Sequence, residues 1–71
     1  MDMIPVSSSN LERVGYDPRT QTLRIEFKTG GLYEYFDVPQ HIYQGLMNPP
    51  NGSHGQYFHA NIKGQYRYVR L

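Results

Sequence analysis

The chain contains no cysteine, no tryptophan and no long apolar run. Without cysteine, neither a disulfide framework nor a thiolate zinc site can stabilise it. No run of about 18 apolar residues exists, so we expect no membrane span. No basic segment followed by an apolar one opens the chain, and the lack of cysteine fits a reducing compartment. We therefore expect a cytoplasmic protein.

The length of 71 residues predicts a single small domain over residues 1–71. Hydrophobic residues make up 38% of the chain and charged residues 18%, which is typical of a globular rather than a disordered protein. A chain of this size buries only about 60% of its unfolded surface. Close packing of secondary structure or self-association must make up the stability. Helices on one face of the sheet and a partner chain on the other would suit so small a core, so we expect a homo-oligomer.

The charges are distributed unevenly along the chain. Residues 1–37 carry four cations and all six acids, a net charge of −2, whereas residues 38–71 carry three cations and no acid, a net charge of +3. An acid-free half with interleaved tyrosines suggests a partner that carries phosphate. Three cations are few for a long nucleic acid, whose affinity depends on neutralising several phosphates. A ligand with one to three phosphates, or a symmetric oligomer, suits this charge better.

Alternation of apolar and polar residues predicts three antiparallel strands in the first half of the chain. The first covers residues 11–16 and ends at the turn dipeptide Asp17-Pro18. The second covers residues 22–28, and the third covers residues 32–38. A short edge strand or packed tail is predicted over residues 65–71.

The loop between the second and third strands decides which side chains share a face. A two-residue loop would place Ile25 opposite a glutamate. A three-residue loop at residues 29–31 instead places Tyr33 opposite Phe27 and Tyr35 opposite Ile25, and its glycines allow the left-handed conformation that such a loop needs. We therefore predict that both tyrosines lie on the core-facing side, where packing is a better explanation for them than ligand stacking.

Two short helices are predicted between the third strand and the tail. Asp37 can cap the first helix, with Pro39 in its first turn. Ser53 and Gln56 have the spacing of a capping box for the second helix, which Gly64 ends. The apolar stripes consist of Ile42, Tyr43, Leu46 and Met47 in the first helix and Tyr57, Phe58 and Ile62 in the second. The predicted fold class is α+β: a small antiparallel sheet in the order β-β-β-α-α-β with two short helices packed on it.

Several motifs are spread along most of the chain: Val14-Gly15-Tyr16-Asp17, Leu23-x-Ile25-x-Phe27, Gly31-x-Tyr33-x-Tyr35, Val38-Pro39, Tyr43-x-x-Leu46, and Gly55-x-Tyr57-Phe58 with Ile62. Together, from about residue 8 to residue 66, they resemble the KTSC domain family. That family is named for the C-terminal domain of some lysyl-tRNA synthetases, and it also occurs as a free-standing small protein in bacteria and phages. The resemblance implies a non-catalytic domain without a cofactor, and it suggests RNA binding.

Candidate ligand-binding residues lie mainly in the acid-free half. Arginines can fork onto a phosphate or stack on a base, and tyrosines on a half-exposed strand can stack bases. The competing interpretation is a solvated edge strand whose cations block aggregation, with the serines acting as caps. The predicted ligand-binding residues are Ser8, Ser9, Tyr57, His59, Lys63, Tyr66, Arg67, Tyr68 and Arg70.

Nothing in the sequence has the pattern of a catalytic or metal site. Histidine is the usual general base near neutral pH, and the chain has three histidines: His41, His54 and His59. His54 and His59 are five residues apart, whereas metal-binding pairs on a helix prefer about four, and no carboxylate follows them. We therefore expect a protein that is not an enzyme.

Three hypotheses about function follow. The first is a homo-oligomer that binds or sequesters a small nucleotide-type ligand, as a nucleotide sponge in phage counter-defence would. The second is an RNA or single-stranded nucleic-acid-binding module, as the synthetase-appended relatives suggest. The third is a protein-interaction module, because Leu32 and Phe36 would be exposed on the same sheet face as Arg24, Glu26 and Lys28.

Overall fold

One antiparallel sheet carries both helices, and the computed structural model describes all residues from 1 to 71. The elements are β1 (Ile4–Pro5), β2 (Leu11–Asp17), β3 (Thr22–Phe27), β4 (Leu32–Tyr35), α1 (Gln40–Met47), α2 (His54–Asn61) and β5 (Tyr68–Arg70). The strand order is β1-β2-β3-β4-β5, so β5 returns to the sheet after both helices and pairs with β4. The α+β prediction is confirmed, and the structure adds the short strand β1. Each helix has eight residues and is too short to cross a membrane.

The core lies between one face of the sheet and the two helices. The side chains of Leu23 and Ile25 on the central strand β3 are fully buried. Side chains alternate between the two faces along each strand, so the residues of β2 and β4 that lie opposite Leu23 and Ile25 share their face. The core contains nine buried hydrophobic residues: Leu11, Val14, Leu23, Ile25, Tyr35, Val38, Leu46, Phe58 and Ile62.

A tyrosine pair connects the sheet to the start of α1. The rings of Tyr16 on β2 and Tyr43 on α1 stack, with centroids 4.7 Å apart and planes at 9°. The Tyr16 hydroxyl donates a hydrogen bond to the Val38 carbonyl oxygen at 2.5 Å. This bond fixes the segment from which α1 begins.

The hairpin between β3 and β4 has three loop residues, as predicted, but they lie one position earlier in the chain. The Phe27 N–H donates to the Gly31 carbonyl at 2.8 Å, so the loop is formed by residues 28–30. Gly30 takes the left-handed conformation, with φ of 103°. Gly31 leaves room for the Tyr33 ring, because a Cβ atom at this position would lie 2.7 Å from it.

This earlier loop changes the pairing of β3 with β4. Tyr33 lies opposite Ile25 and Tyr35 lies opposite Leu23, so the predicted pairings with Phe27 and Ile25 are wrong by two residues. A shift of two residues keeps every side chain on its face. Both tyrosines therefore lie on the core-facing side, as the sequence predicted.

The helix starts agree only partly with the predicted caps. Asp37 does not cap α1: it adopts φ of 58° in the turn after β4, and Pro39 is the N-cap without a side-chain hydrogen bond. At α2, the Ser53 hydroxyl accepts a hydrogen bond from the Gln56 N–H at 3.2 Å, as predicted. The Gln56 side chain does not complete the capping box, because it bonds to Asn51.

The opposite face of the sheet, here called the outer face, carries cross-strand ion pairs. Arg13 pairs with Glu26, with 2.6 Å between Nε and Oε1. Arg24 lies opposite Glu34 in the register and pairs with it. The Arg13–Glu26 pair is exposed, and pairs of that kind contribute only about 0.2–1 kcal/mol, whereas the Arg24–Glu34 pair is partly buried. Their main consequence is the placement of charge, since both glutamates point away from the helices.

The apolar residues of the outer face are partly covered by the chain itself. Leu32 and Phe36, which the sequence predicted to be exposed there, are half-buried. The guanidinium carbon of Arg67 lies 5.1 Å from the centre of the Phe36 ring, within the range of a cation–π contact. The exposed apolar pair behind the protein-interaction hypothesis is therefore smaller than expected.

Substitution of Gly45 by alanine tests the contact between the two helices. A methyl group at this position in α1 would overlap the Tyr57 ring of α2. Overpacking costs about 1–3 kcal/mol, whereas alanine gains only about 1 kcal/mol over glycine inside a helix. We expect Gly45→Ala to lower the free energy of unfolding, measured by urea denaturation. Gln44→Ala, at the exposed neighbouring position, should leave it unchanged or slightly raised. A Gly45→Ala protein as stable as the wild type would contradict this contact.

Candidate functional site

A cleft of about 560 Å³ opens on the helix-bearing side of the sheet, between α2 and the β3–β4 hairpin. Its size lies in the range of small-molecule sites, about 300–1,000 Å³. We call it the aromatic cleft. Its floor consists of Phe27, Tyr33, Tyr35, Phe58 and Tyr68. Its rim consists of Ser9, Asn10, Lys28, Thr29, His59, Lys63 and Gly64.

The floor is held by edge-to-face packing of aromatic rings. Phe58 of α2 contacts Phe27 of β3 with centroids 5.3 Å apart, and Tyr35 of β4 with centroids 5.7 Å apart. Phe27 also meets Tyr33 at 5.5 Å and an interplanar angle of 83°. Pairs with this geometry contribute about 0.5–1.5 kcal/mol beyond their buried area. The floor is thus built from the packing that attaches α2 to the sheet.

Three tyrosines cluster at the β5 end of the floor. The ring centroids of Tyr33, Tyr35 and Tyr68 are separated by 5.6 to 6.5 Å. Burial raises the pKa of Tyr35 to about 12, and the neighbouring Tyr33 and Tyr68 add to the rise. The Tyr35 hydroxyl is therefore protonated at neutral pH and can both donate and accept hydrogen bonds.

The rim is cationic and contains no carboxylate. Lys28 lies in the hairpin loop, and Lys63 follows α2, so the two lysines approach from different elements. His59 is exposed beside them, and the guanidinium of Arg70 lies 5.7 Å from the Tyr33 ring centre. The acids of β3 and β4 are on the outer face. A concave surface with charge of one sign concentrates its field and favours an anionic ligand.

A serine-rich loop completes the rim. The Ser8 hydroxyl accepts hydrogen bonds from the N–H groups of Asn10 at 3.1 Å and Leu11 at 3.2 Å. The Asn10 carbonyl in turn accepts one from the Lys28 N–H at 2.9 Å. Ser8 therefore shapes the loop, while Ser9 and Asn10 face the cleft.

The structure brings together four of the nine residues that the sequence proposed as ligand-binding: Ser9, His59, Lys63 and Tyr68. Arg70 adjoins the cleft through its contact with Tyr33. The other four, Ser8, Tyr57, Tyr66 and Arg67, lie outside the lining. Tyr57 packs over Gly45, and Tyr66 is half-buried against the core. Arg67 lies over Phe36.

Sequence reasoning missed most of the floor because it assigned the aromatic residues of β3 and β4 to the core. Tyr35 and Phe58 do belong to the core, each with 5% of its surface exposed, but the helices leave part of this face uncovered. The available signal was the choice of tyrosine over leucine or phenylalanine at positions 33 and 35. Hydroxyl groups on a core-facing strand need a polar environment or a partner.

The histidines do not converge on a metal site. The Nδ1 atom of His54 donates to the Leu46 carbonyl at 2.7 Å and ties α2 to the end of α1. His41 is exposed on α1, and His59 lies on the cleft rim. No group of three histidine, aspartate or glutamate side chains is arranged to hold a metal ion.

The raised pKa of Tyr35 predicts a loss of stability at alkaline pH. The folded value of about 12 lies above the ordinary value of about 10. The folded state therefore binds this proton more tightly than the unfolded state. The resulting stabilisation is complete below about pH 10 and is lost as the pH rises to about 12. We expect urea denaturation over this range to show a steeper decline for wild type than for Tyr35→Phe. Identical pH profiles would contradict a raised pKa of Tyr35 in the folded state.

Comparisons with known proteins give the family. The KTSC domain profile matches residues 7–66. A lysine–tRNA ligase of Nostoc is 45% identical over 69 residues, which are 97% of this chain but only 12% of the ligase. A protein of Stutzerimonas stutzeri is 40% identical over 72 residues, which cover 100% of this chain and 99% of the relative.

A solved structure agrees with the fold as well. The crystal structure of a KTSC domain protein from Yersinia pestis superposes with a TM-score of 0.93 at 36% identity, and the match covers 99% of this chain and 96% of that one. The match therefore spans every strand and both helices described above. This chain belongs to the KTSC domain family.

Proposed function

We propose that the chain is a non-enzymatic binding protein that holds a nucleotide in the aromatic cleft. The base would stack on the floor, and the phosphate would lie at the lysine rim. One observation carries the proposal: the same cleft combines five aromatic rings with two lysines and a histidine and contains no carboxylate. The use that we propose for such a site is sequestration: a protein that binds a ligand and does not convert it lowers the free concentration of that ligand.

The exposed tyrosines support stacking. Tyr68 is 56% exposed at the edge of the floor, and Tyr33 beside it is partly exposed. Stacking of a base on an aromatic side chain contributes about 1–3 kcal/mol. A base can therefore be bound here without displacing the buried residues of the core.

The unpaired lysines support phosphate binding. The ion pairs within the chain involve Arg13, Arg19 and Arg24, and neither Lys28 nor Lys63 takes part in one. Both ammonium groups are thus available to an external anion. Because they come from different elements, a phosphate placed between them would bridge the hairpin and the end of α2.

A second candidate function is binding of single-stranded RNA. Similarity to part of a lysine–tRNA ligase favours it, although the chain spans only 12% of that relative. An RNA chain would need further cations beyond the cleft, such as Arg70 beside Tyr33. Its affinity would fall steeply with salt, whereas the affinity for a mononucleotide would fall much less.

Substitution of the rim lysines tests the nucleotide proposal. We expect Lys28→Ala and Lys63→Ala each to weaken binding of ribonucleoside 5′-monophosphates about 5-fold, since an exposed ion pair contributes up to about 1 kcal/mol. Isothermal titration calorimetry measures the change. Arg67→Ala removes a cation outside the cleft and is the matched control. An equal loss in the control would point to non-specific attraction by net charge.

We also propose that the chain forms a homodimer through the edge strand β5. The Phe36 N–H donates to the Arg67 carbonyl, and the Leu71 N–H donates to the Leu32 carbonyl. In an antiparallel pair, alternate residues direct their backbone groups to the partner strand, so those of Tyr68 and Arg70 point outward. The edge formed by β1 is shorter and contains Pro5, which cannot donate a hydrogen bond.

The outward groups of β5 are complementary to those of a second copy. Antiparallel pairing about Val69 would place Tyr68 opposite Arg70 of the other chain, and it would cover the exposed Val69 side chains with one another. Arg70 of the second copy would then lie beside the tyrosine cluster. Only 12 of 71 residues are buried within one chain, so additional burial would add to a small core.

A proline at position 70 tests the edge pairing. Arg70→Pro removes an outward N–H without removing a donor to β4. We expect wild type and Arg70→Ala to have the mass of a dimer in multi-angle light scattering, and Arg70→Pro to have the mass of a monomer. A monomeric wild type would contradict the dimer, and a monomeric Arg70→Ala would show that the side chain, not the backbone, makes the contact.

A further inference from the structure

We propose that the Tyr35 hydroxyl is the specificity-determining group of the aromatic cleft. It would form a hydrogen bond with the edge of a nucleobase that lies deeper in the cleft than its phosphate. The inference rests on the proposed nucleotide-binding function. It adds the orientation of the ligand and the group that selects it.

The first step is the position of this hydroxyl. Tyr35 is 95% buried, since only 5% of its surface is exposed, yet it contributes to the cleft floor. The only tyrosine hydroxyl that bonds to the protein is that of Tyr16. No side-chain nitrogen or oxygen is both sealed from solvent and without a partner. The Tyr35 hydroxyl therefore keeps some accessible surface, and because Tyr35 lines the cleft, a ligand in the cleft is the partner we assign to it.

The second step is the separation of polar groups by depth. Lys28, His59 and Lys63 are all exposed, so positive charge is confined to the rim. A phosphate moved down among the aromatic rings would lose its hydration without gaining a cation. A nucleobase is neutral and flat, and it can stack there. The phosphate thus stays between the lysines while the base points inward.

The third step is the chemistry required of the part of the ligand that meets the Tyr35 hydroxyl. A tyrosine hydroxyl donates one hydrogen bond and accepts others. A base brings ring nitrogens, carbonyl oxygens or amino groups on its edge, and any of these can pair with it. A ligand that presents only carbon would leave the hydroxyl desolvated and unpaired, which disfavours binding. Tyr35 would therefore reject purely apolar rings of the same shape.

The experiment compares wild type, Tyr35→Phe and Tyr43→Phe by isothermal titration calorimetry. Tyr43→Phe is the matched control, because it deletes a hydroxyl from a stacked ring outside the cleft. The ligands are the four ribonucleoside 5′-monophosphates, the corresponding nucleosides and ribose 5-phosphate. Circular dichroism melting verifies that each variant is folded.

We expect Tyr35→Phe to bind the preferred monophosphate about 10-fold more weakly than wild type, and Tyr43→Phe to bind it normally. Nucleosides should bind more weakly than nucleotides but retain the dependence on Tyr35, and ribose 5-phosphate should bind least.

Three results would overturn the inference in different ways. Equal nucleotide affinity of wild type and Tyr35→Phe would remove the role of the hydroxyl and leave the proposed function intact. Ribose 5-phosphate binding as tightly as a nucleotide would show that the base contributes nothing to binding and would overturn its placement on the floor. Failure of wild type to bind any of the nucleotides would overturn the proposed function and this inference together.

Discussion

The packing of Phe58 against Phe27 and Tyr35 is the interaction on which the rest of the structure depends. It attaches α2 to the central strand β3 and to its neighbour β4, with centroid separations of 5.3 and 5.7 Å. The same rings form the floor of the aromatic cleft. Core packing and the candidate site are therefore not separate regions. A change that loosens α2 alters the shape of the cleft.

Charge placement is the second constraint. Glu26 and Glu34 occupy the outer-face positions of β3 and β4, where arginines on neighbouring strands pair with them. Alternation along a strand then guarantees that the other face carries no acid from these positions. Residues 38–71, which follow Asp37 in the turn after β4, contain no acid at all. A chain with a net charge of only +1 can in this way present a cleft of one sign.

The sequence predicted those features that depend on periodicity. The α+β class, the face of Tyr33 and Tyr35, and the Ser53 cap of α2 follow from alternation, helical spacing and local capping chemistry. The hairpin register did not follow, because shifts of two residues preserve alternation and only the loop decides between them. In the folded chain the two hairpin glycines have different roles. Gly30 takes the left-handed conformation, and Gly31 leaves room for the Tyr33 ring.

The site was harder to predict than the fold, because it depends on how much of the sheet face the helices leave uncovered. Local patterns indicate which face a side chain occupies, but not how far a helix covers that face. Tyr35 and Phe58 satisfy every expectation for core residues and still line a cleft. Arg67, which the charge pattern proposed as a ligand-binding residue, instead covers Phe36. Its position depends on the pairing of β5 with β4, a contact distant in sequence.

That distant pairing has a consequence for folding. Strands β1 to β4 pair with their neighbours in sequence through short connections, whereas both helices lie between β4 and β5 in the chain. Contacts of large sequence separation form late, because a longer loop must be closed first. Like β1 at the other edge, β5 consists of exposed residues only, so its local opening costs little. The edge of the cleft that Tyr68 supplies is thus expected to assemble late and to exchange its amide hydrogens early. A ligand held against it would slow that exchange.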